Sequence, residues 1–111
     1  MLQKKQNRTL SFLKLLILSL ILSSCKKEDP APLATADFFV SNNGCIAPCM
    51  VHFYDQSTNA TSWKWNFGNL FVSTTKNDSI TYNLAGTYDV THWVWNVDDV
   101  ADSVVKTVEV F

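Results

Sequence analysis

Alternating aromatic and polar residues at 63–68 constrain the fold more than any other part of the chain. This stretch has the sequence Trp-Lys-Trp-Asn-Phe-Gly, with the period of two that is typical of a strand with one buried face. On such a strand Trp63, Trp65 and Phe67 point to one side, and the polar residues between them point to the other. Aromatic side chains bury about 150–250 Å² each, so these three can anchor the core of a small domain.

The rest of the chain after residue 34 has the pattern of short strands between turns. On the stretch 50–55, Val51 and Phe53 share one face and the intervening residues share the other. We predict strands over 35–40, 50–55, 63–67, 79–83, 87–97 and 102–110, with 70–72 as a further candidate. Six or seven short strands at this spacing indicate an all-β protein built as a β-sandwich.

Residues 1–24 have the three-part plan of a secretory signal peptide: a basic start, an apolar run at 15–22 and two small residues. The apolar run is shorter than the roughly 20 residues that span a bilayer, so we do not predict a transmembrane helix. The sequence 22–25, Leu-Ser-Ser-Cys, resembles the lipobox of bacterial lipoproteins. This resemblance implies that Cys25 becomes the lipidated N-terminus and anchors the chain to a membrane. The alternative is an incidental cysteine near an ordinary cleavage site.

Residues 25–34 carry charges and two prolines, which predicts an extended tether before the domain at 35–111. Glu28 and Asp29, shortly after Cys25, resemble the surface-export signal of Bacteroidetes lipoproteins, although a solvated linker explains these acids equally well. The expected location is the cell envelope at the outer membrane, with surface exposure if the export signal is used.

The formal net charge of −1 averages two unlike parts of the chain. Four of the nine basic residues lie in the first 24 residues, whereas all ten acidic residues follow Cys25. The mature chain is therefore acidic and repels phosphate backbones, which argues against nucleic acid as a partner.

Three separated blocks resemble PKD domains, the immunoglobulin-like β-sandwich named after polycystic kidney disease protein. Residues 63–69 resemble the family's Trp-Asp-Phe-Gly-Asp-Gly motif, and 44–53 resemble its Gly-x-Ala-Pro-x-x-Val-x-Phe strand. Residues 82–90 resemble its Tyr-x-x-x-Gly-x-Tyr-x-Val hairpin, with Asn96 at the family's asparagine. The motif positions that we single out are Trp63, Trp65, Asn66, Phe67, Gly68, Asn69, Gly86, Tyr88 and Val90. The resemblance covers 35–111 and implies a binding or adhesion module.

The chain departs from the family pattern in the turn after the aromatic strand. Asn66 and Asn69 replace the motif's aspartates, and Leu70 replaces its second glycine. A calcium site credited to some PKD domains would lose its carboxylates here, so we expect neither a metal nor another cofactor.

His92 stands between Val90 and Val94, where the family usually has an apolar inward residue. A histidine in a core avoids a desolvation cost when it is neutral or hydrogen-bonded. No partner for chemistry is evident among its apolar neighbours, so we expect a packed, structural side chain.

Cys45 and Cys49 are separated by three residues, a spacing that suits a disulfide or half of a metal site. A zinc site would need two further ligands, and His52 and His92 are the remaining histidines. Because an exported chain reaches an oxidising compartment, we favour the disulfide.

Catalytic motifs are missing from the sequence. We find no His-Glu-x-x-His, no Gly-x-Ser-x-Gly and no glycine-rich phosphate loop. The adjacent acids Asp98 and Asp99 fall in a predicted turn, where carboxylates are usually solvated. We therefore do not expect an enzyme.

Trp93 and Trp95 are the candidate binding surface. If Val90 and Val94 point inward, the alternation of the strand turns both tryptophans outward. Clustered exposed aromatics often mark binding sites, and flat ring faces suit sugars. Two alternatives remain: the 70–78 loop covers the rings, or the rings stabilise the sheet as a cross-strand pair.

We thus expect a non-catalytic module that binds an extracellular glycan or protein, with a structural spacer or envelope subunit as the alternative. Two Asp-Ser-aliphatic triplets, at Ser79 and Ser103, also resemble the O-glycosylation sequence of Bacteroidetes.

Overall fold

Two antiparallel sheets pack face to face in residues 29–111, the part of the chain that the computed structural model describes. The strands are β1 (Phe38–Ser41), β2 (Cys49–Asp55), β3 (Ser62–Asn66), β4 (Val72–Ser73), β5 (Asp78–Tyr82), β6 (Gly86–Trp95) and β7 (Ala101–Val110). One sheet has the order β1-β2-β5 and the other β4-β3-β6-β7. The predicted all-β sandwich is confirmed. The predicted signal peptide and Cys25 lie outside the described residues.

The strand bounds agree with the sequence patterns to within a few residues, except around Leu70. We expected a strand at 70–72, but β4 begins at Val72. Leu70 has a φ of 75°, in the left-handed region, and its side chain is 99% exposed. A residue in that conformation turns the chain and cannot belong to an extended strand, so β4 begins after Leu70.

Residues 31–34, which we assigned to the tether, lie against the domain. The side chain of Asn96 donates to the Pro32 carbonyl at 3.0 Å, and that of Asn59 donates to the Leu33 carbonyl at 3.2 Å. The compact unit accordingly comprises Ala31–Phe111. Residues 29–111 contain no helix that is long and apolar enough to cross a membrane.

The core between the sheets is built around Trp65. The Phe38 ring meets it edge-on at 5.1 Å, and the Phe67 ring lies nearly parallel to it at 5.7 Å. Each such pair adds about 0.5–1.5 kcal/mol beyond the area that it buries. Trp65 and Phe67 therefore share the buried face, as the alternation predicted, while Trp63 is half-buried beside Val94. The main cluster contains Phe38, Val51, Phe53, Trp65, Phe67, Tyr82, Val90, Val108 and Val110.

His92 is fully buried and lies flat on the Trp65 ring, with centroids 3.6 Å apart. The predicted inward, packed position is confirmed, but the expectation that this histidine has no partner is wrong. Its Nε2 lies 2.8 Å from Oδ1 of Asp55, whose side chain is 3% exposed. Asp55 ends β2 and is 37 residues away in the sequence, so this contact joins the two sheets.

Both ring nitrogens of His92 face acceptors. Nδ1 lies 3.3 Å from the Lys64 carbonyl oxygen, which can only accept. Burial raises the pKa of Asp55, but hydrogen bonds from Ser57 and His92 outweigh this, and the net pKa lies below its ordinary value. The carboxylate is therefore ionised at neutral pH, and Nε2 also donates. From this geometry we predict that both ring nitrogens donate, which would place an imidazolium on the face of Trp65.

A disulfide joins Cys45 to Cys49, the first residue of β2, with their Cα atoms 6.1 Å apart. The backbone at Cys45 pairs with Val110, and Ala47 donates to the Phe111 carbonyl at 2.6 Å. The bridged segment therefore covers one end of the edge strand β7. An exposed strand edge would otherwise be a template for pairing with other chains.

Replacing Asp55 by Asn should lower the free energy of unfolding by about 2 kcal/mol, because the acceptor facing His92 loses its negative charge. Urea unfolding followed by tryptophan fluorescence measures this. A lowered carboxyl pKa contributes stability that is present above the unfolded value of about 3.9 and lost as the pH falls through the folded value. The difference between variant and wild type should therefore shrink in acid.

Asp37→Asn is the matched control, because Asp37 pairs with Lys106 at 2.8 Å but both side chains are about half exposed. Solvent screens such a pair, so its loss should cost less than about 1 kcal/mol. Equal losses in the two variants would contradict the role given to the buried pair.

Candidate functional site

The alternation of β6 places Trp93 and Trp95 on the outer face of the four-stranded sheet. Val90, His92 and Val94 have no exposed surface, so the residues between them point the other way. β6 is paired on both sides, with β3 and β7, which fixes this orientation. Both tryptophan side chains are half-buried.

Small and polar side chains flank the two tryptophans on the neighbouring strands. Trp93 lies opposite Lys64 on β3 and Ser103 on β7. The Lys64 Nζ is 5.6 Å from the centroid of the Trp93 ring, a cation–π distance. Trp95 lies between Ser62 and Ala101, which are both small.

The 70–78 loop contacts a different pair of tryptophans. The Thr75 carbonyl accepts from Trp65 Nε1 at 2.9 Å, and the Lys76 Nζ lies 5.8 Å from the Trp63 ring. These contacts place the loop beside the core-facing side of β3. They give no support to the alternative in which this loop covers Trp93 and Trp95. The cross-strand alternative lacks support too, because neither Trp93 nor Trp95 has an aromatic residue directly opposite.

Two asparagine side chains hold the turn after β3 through hydrogen bonds to backbone amides. Asn66 Oδ1 accepts from the Gly68 amide at 2.9 Å, and Asn69 Oδ1 accepts from the Phe71 amide at 3.2 Å. Gly68 has a φ of 77°, and a Cβ there would lie 2.8 Å from the Asp89 carbonyl oxygen, so glycine is required. Across residues 29–111, no three His, Cys, Asp or Glu side chains group together to hold a metal.

The tyrosines and Asn96 of the family motif hold loops in place. Tyr82 donates to the Phe67 carbonyl at 2.8 Å, and burial raises the pKa of its phenol. Tyr88 donates to the Leu84 carbonyl, four residues upstream, at 2.6 Å. Asn96 is 2% exposed, and its Oδ1 accepts from two backbone amides of the following turn. These residues serve the fold, because their polar atoms are satisfied internally.

A second aromatic surface lies on the outer face of the three-stranded sheet, and we did not predict it. β1 contributes Phe39, and β2 contributes Met50, His52 and Tyr54. The outward parity of the β2 residues was visible in the sequence. Pairing of Phe39 with Tyr54 depends on the register between β1 and β2, which the sequence did not reveal.

Comparison with known proteins identifies the same architecture. A family model described as PKD domain matches residues 28–111. No curated protein sequence matches the chain. The PKD1 domain of the Vibrio cholerae metalloprotease PrtV is 28% identical with a TM-score of 0.63, over 71% of this chain and 98% of that domain. The PKD1 domain of Vibrio anguillarum Epp is 24% identical with a TM-score of 0.64, over 73% and 96%.

Another similar structure is described as the basis for the promiscuous specificity of carbohydrate-binding modules from the β-sandwich superfamily. It is 21% identical with a TM-score of 0.67 over 74% of this chain. The matched part is 36% of that structure, so the chain spans about a third of its length. At this identity the likeness concerns the fold.

Proposed function

The chain belongs to the PKD domain family, and we propose that it is a non-catalytic module that binds an extracellular glycan or protein. The proposed surface is the outer face of the four-stranded sheet at Trp93 and Trp95. The observation that carries this proposal is the pair of tryptophans on one strand, both turned away from the core and flanked by small or polar residues.

Two neighbouring indoles suit recognition because they offer a large rigid area at a small cost in conformational entropy. Tryptophan is enriched among the residues that dominate binding energy. Ser62 and Ser103, directly opposite these rings, have hydroxyls that can bond to sugar hydroxyls or to peptide groups. This face therefore combines apolar stacking area with hydrogen-bonding groups.

A lipid anchor at Cys25 would hold this module at the cell envelope. The support is the basic start, the short apolar run and the lipobox-like 22–25 that precede the domain. Acyl chains contribute about 0.8 kcal/mol per buried CH₂, so a multiply acylated cysteine holds a small domain stably on a membrane. Membrane attachment would confine the binding surface to the layer next to the membrane.

A structural spacer or envelope subunit without a ligand of its own is the rival function. One contact favours it: Lys64 already lies over the Trp93 ring, so part of the apolar face is occupied from within the domain. The two functions differ in what removal of the tryptophans does, because a spacer would lose no binding.

The variant Trp93→Ala/Trp95→Ala should weaken ligand binding at least tenfold, because each lost stacking contact costs about 1 kcal/mol. Glycan arrays and cell-surface protein pull-downs with quantified titration of the hits measure this. Val72→Ala/Val105→Ala is the control, since both valines are exposed apolar residues on the same face. Equal binding by the two variants, or no ligand for the wild type, would favour the spacer.

Replacing Cys25 by Ser should abolish palmitate labelling and release the protein from the membrane fraction, because the acyl chains supply the attachment. Cys45→Ser/Cys49→Ser is the control for loss of cysteine in general, and it should remain labelled. Undiminished membrane attachment of Cys25→Ser would exclude the lipid anchor.

A further inference from the structure

The outer face of the three-stranded sheet carries the second aromatic surface, which we call the aromatic face: Phe39, Met50, His52 and Tyr54. Phe39 is 52% exposed, Met50 50% and Tyr54 44%. These side chains lie on the side of the sandwich opposite Trp93 and Trp95, since each sheet turns its other side to the core. Contiguous exposed apolar residues of this kind often mark a binding site.

The three rings form a row across β1 and β2. Phe39 and Tyr54 are paired across the strands, with ring centroids 6.2 Å apart and planes 30° apart. Tyr54 and His52 follow with centroids 6.4 Å apart and planes 29° apart. His52 Nδ1 lies 2.7 Å from the Ser79 hydroxyl on β5, and this bond fixes its ring. One end of the row is thus held in place, which lowers the entropic cost of binding there.

Within β1, β2 and β5, no carboxylate, ammonium or guanidinium group belongs to the aromatic face, because Asp55 and Asp78 pair with the core residues Phe38 and Phe53. The remaining outward residues are Ser41, Ser79 and Thr81, all with hydroxyls. Asp37, just before β1, is the nearest acid along that strand and is paired with Lys106 at 2.8 Å. Such a surface offers ring faces and hydrogen-bond donors but no Lys or Arg side chain to neutralise an anionic group.

The surface continues past β5 into a groove of about 240 Å³. Phe71, which is 60% exposed, forms one wall, and Ser79 and Thr81 are shared with the outer face. The aromatic face extends from Phe39 on β1 across β2 to β5, a distance of about 10 Å at the usual spacing of strands in a sheet. The groove at Phe71 lies beyond β5. The shape of the whole surface suits an elongated ligand that lies across the strands.

We propose that the aromatic face is a second binding site, and that it takes an uncharged polysaccharide. The apolar faces of successive sugars would lie against the Phe39 and Tyr54 rings, and their hydroxyls would bond to Ser79, Thr81 and the Tyr54 phenol. The absence of Lys and Arg from the face selects against sulfated and uronic-acid polymers, because an anionic group would be desolvated there without a cationic partner. This inference goes beyond the proposed function, which concerns the opposite sheet.

The test uses the full chain, solubilised in detergent, on arrays of neutral glycans with alginate as the anionic comparison. Native gels cast with each retained polysaccharide then give relative affinities. Wild type should bind at least one neutral polysaccharide and show no binding to alginate. In the Trp93→Ala/Trp95→Ala background, where the aromatic face is the remaining candidate site, adding Phe39→Ala/Tyr54→Ala should weaken the neutral binding at least tenfold. Adding Val72→Ala/Val105→Ala to the same background, at two exposed valines of the other sheet, should leave that binding unchanged.

Tyr54→Phe separates loss of the ring from loss of the fold, because it keeps the stacking surface and should retain most of the binding. Urea midpoints check that each variant is folded. No retention by any neutral glycan would overturn the proposal. Complete loss of neutral binding in Trp93→Ala/Trp95→Ala would also overturn it, because the aromatic face would then bind nothing, and that outcome leaves the proposed function standing. A wild-type dimer that the Phe39/Tyr54 variant converts to a monomer would show instead that a second copy covers the face.

Discussion

The ion pair between Asp55 and His92 is the contact on which the rest of the sandwich depends. It joins β2 of one sheet to β6 of the other, and the His92 ring lies flat on Trp65 at the centre of the core. A buried pair gains little net stability, since desolvation opposes the attraction of the charges. Removal of one partner leaves an unpaired charge in the core, which is far more costly. The pair therefore specifies which packing of the two sheets is allowed.

The register of β6 follows from the position of His92 opposite Asp55. A slip of one residue along β6 would bring Thr91 or Trp93 to the place of His92 and turn every side chain of the strand to the opposite face. Asp55 would then be buried without a donor on β6. The same parity that seats His92 in the core thus holds Trp93 and Trp95 outside. On β2, the parity that buries Val51 and Phe53 likewise turns His52 and Tyr54 outward.

Local patterns predicted much of this architecture, because alternation along one strand needs no knowledge of its neighbours. The alternation at 63–68 predicted the buried Trp65 and Phe67, and the PKD resemblance predicted the sandwich. Contacts between distant segments could not be predicted: Asp55 reaches His92 through sheet packing, and Phe39 meets Tyr54 through strand register. The β4 bound was missed because Leu70 adopts a φ that side chains rarely take. Ligand binding at Trp93 and Trp95 stays a prediction.

The central claim, that the core is organised around a buried imidazolium–carboxylate pair, can be tested by ¹⁵N NMR of the histidine side chains at neutral pH. A His52→Gln variant leaves His92 as the one histidine of the chain and so assigns its resonances. The geometry predicts that both ring nitrogens of His92 carry a proton, since each donates to an oxygen. A spectrum of a neutral ring with one unprotonated nitrogen would contradict the account.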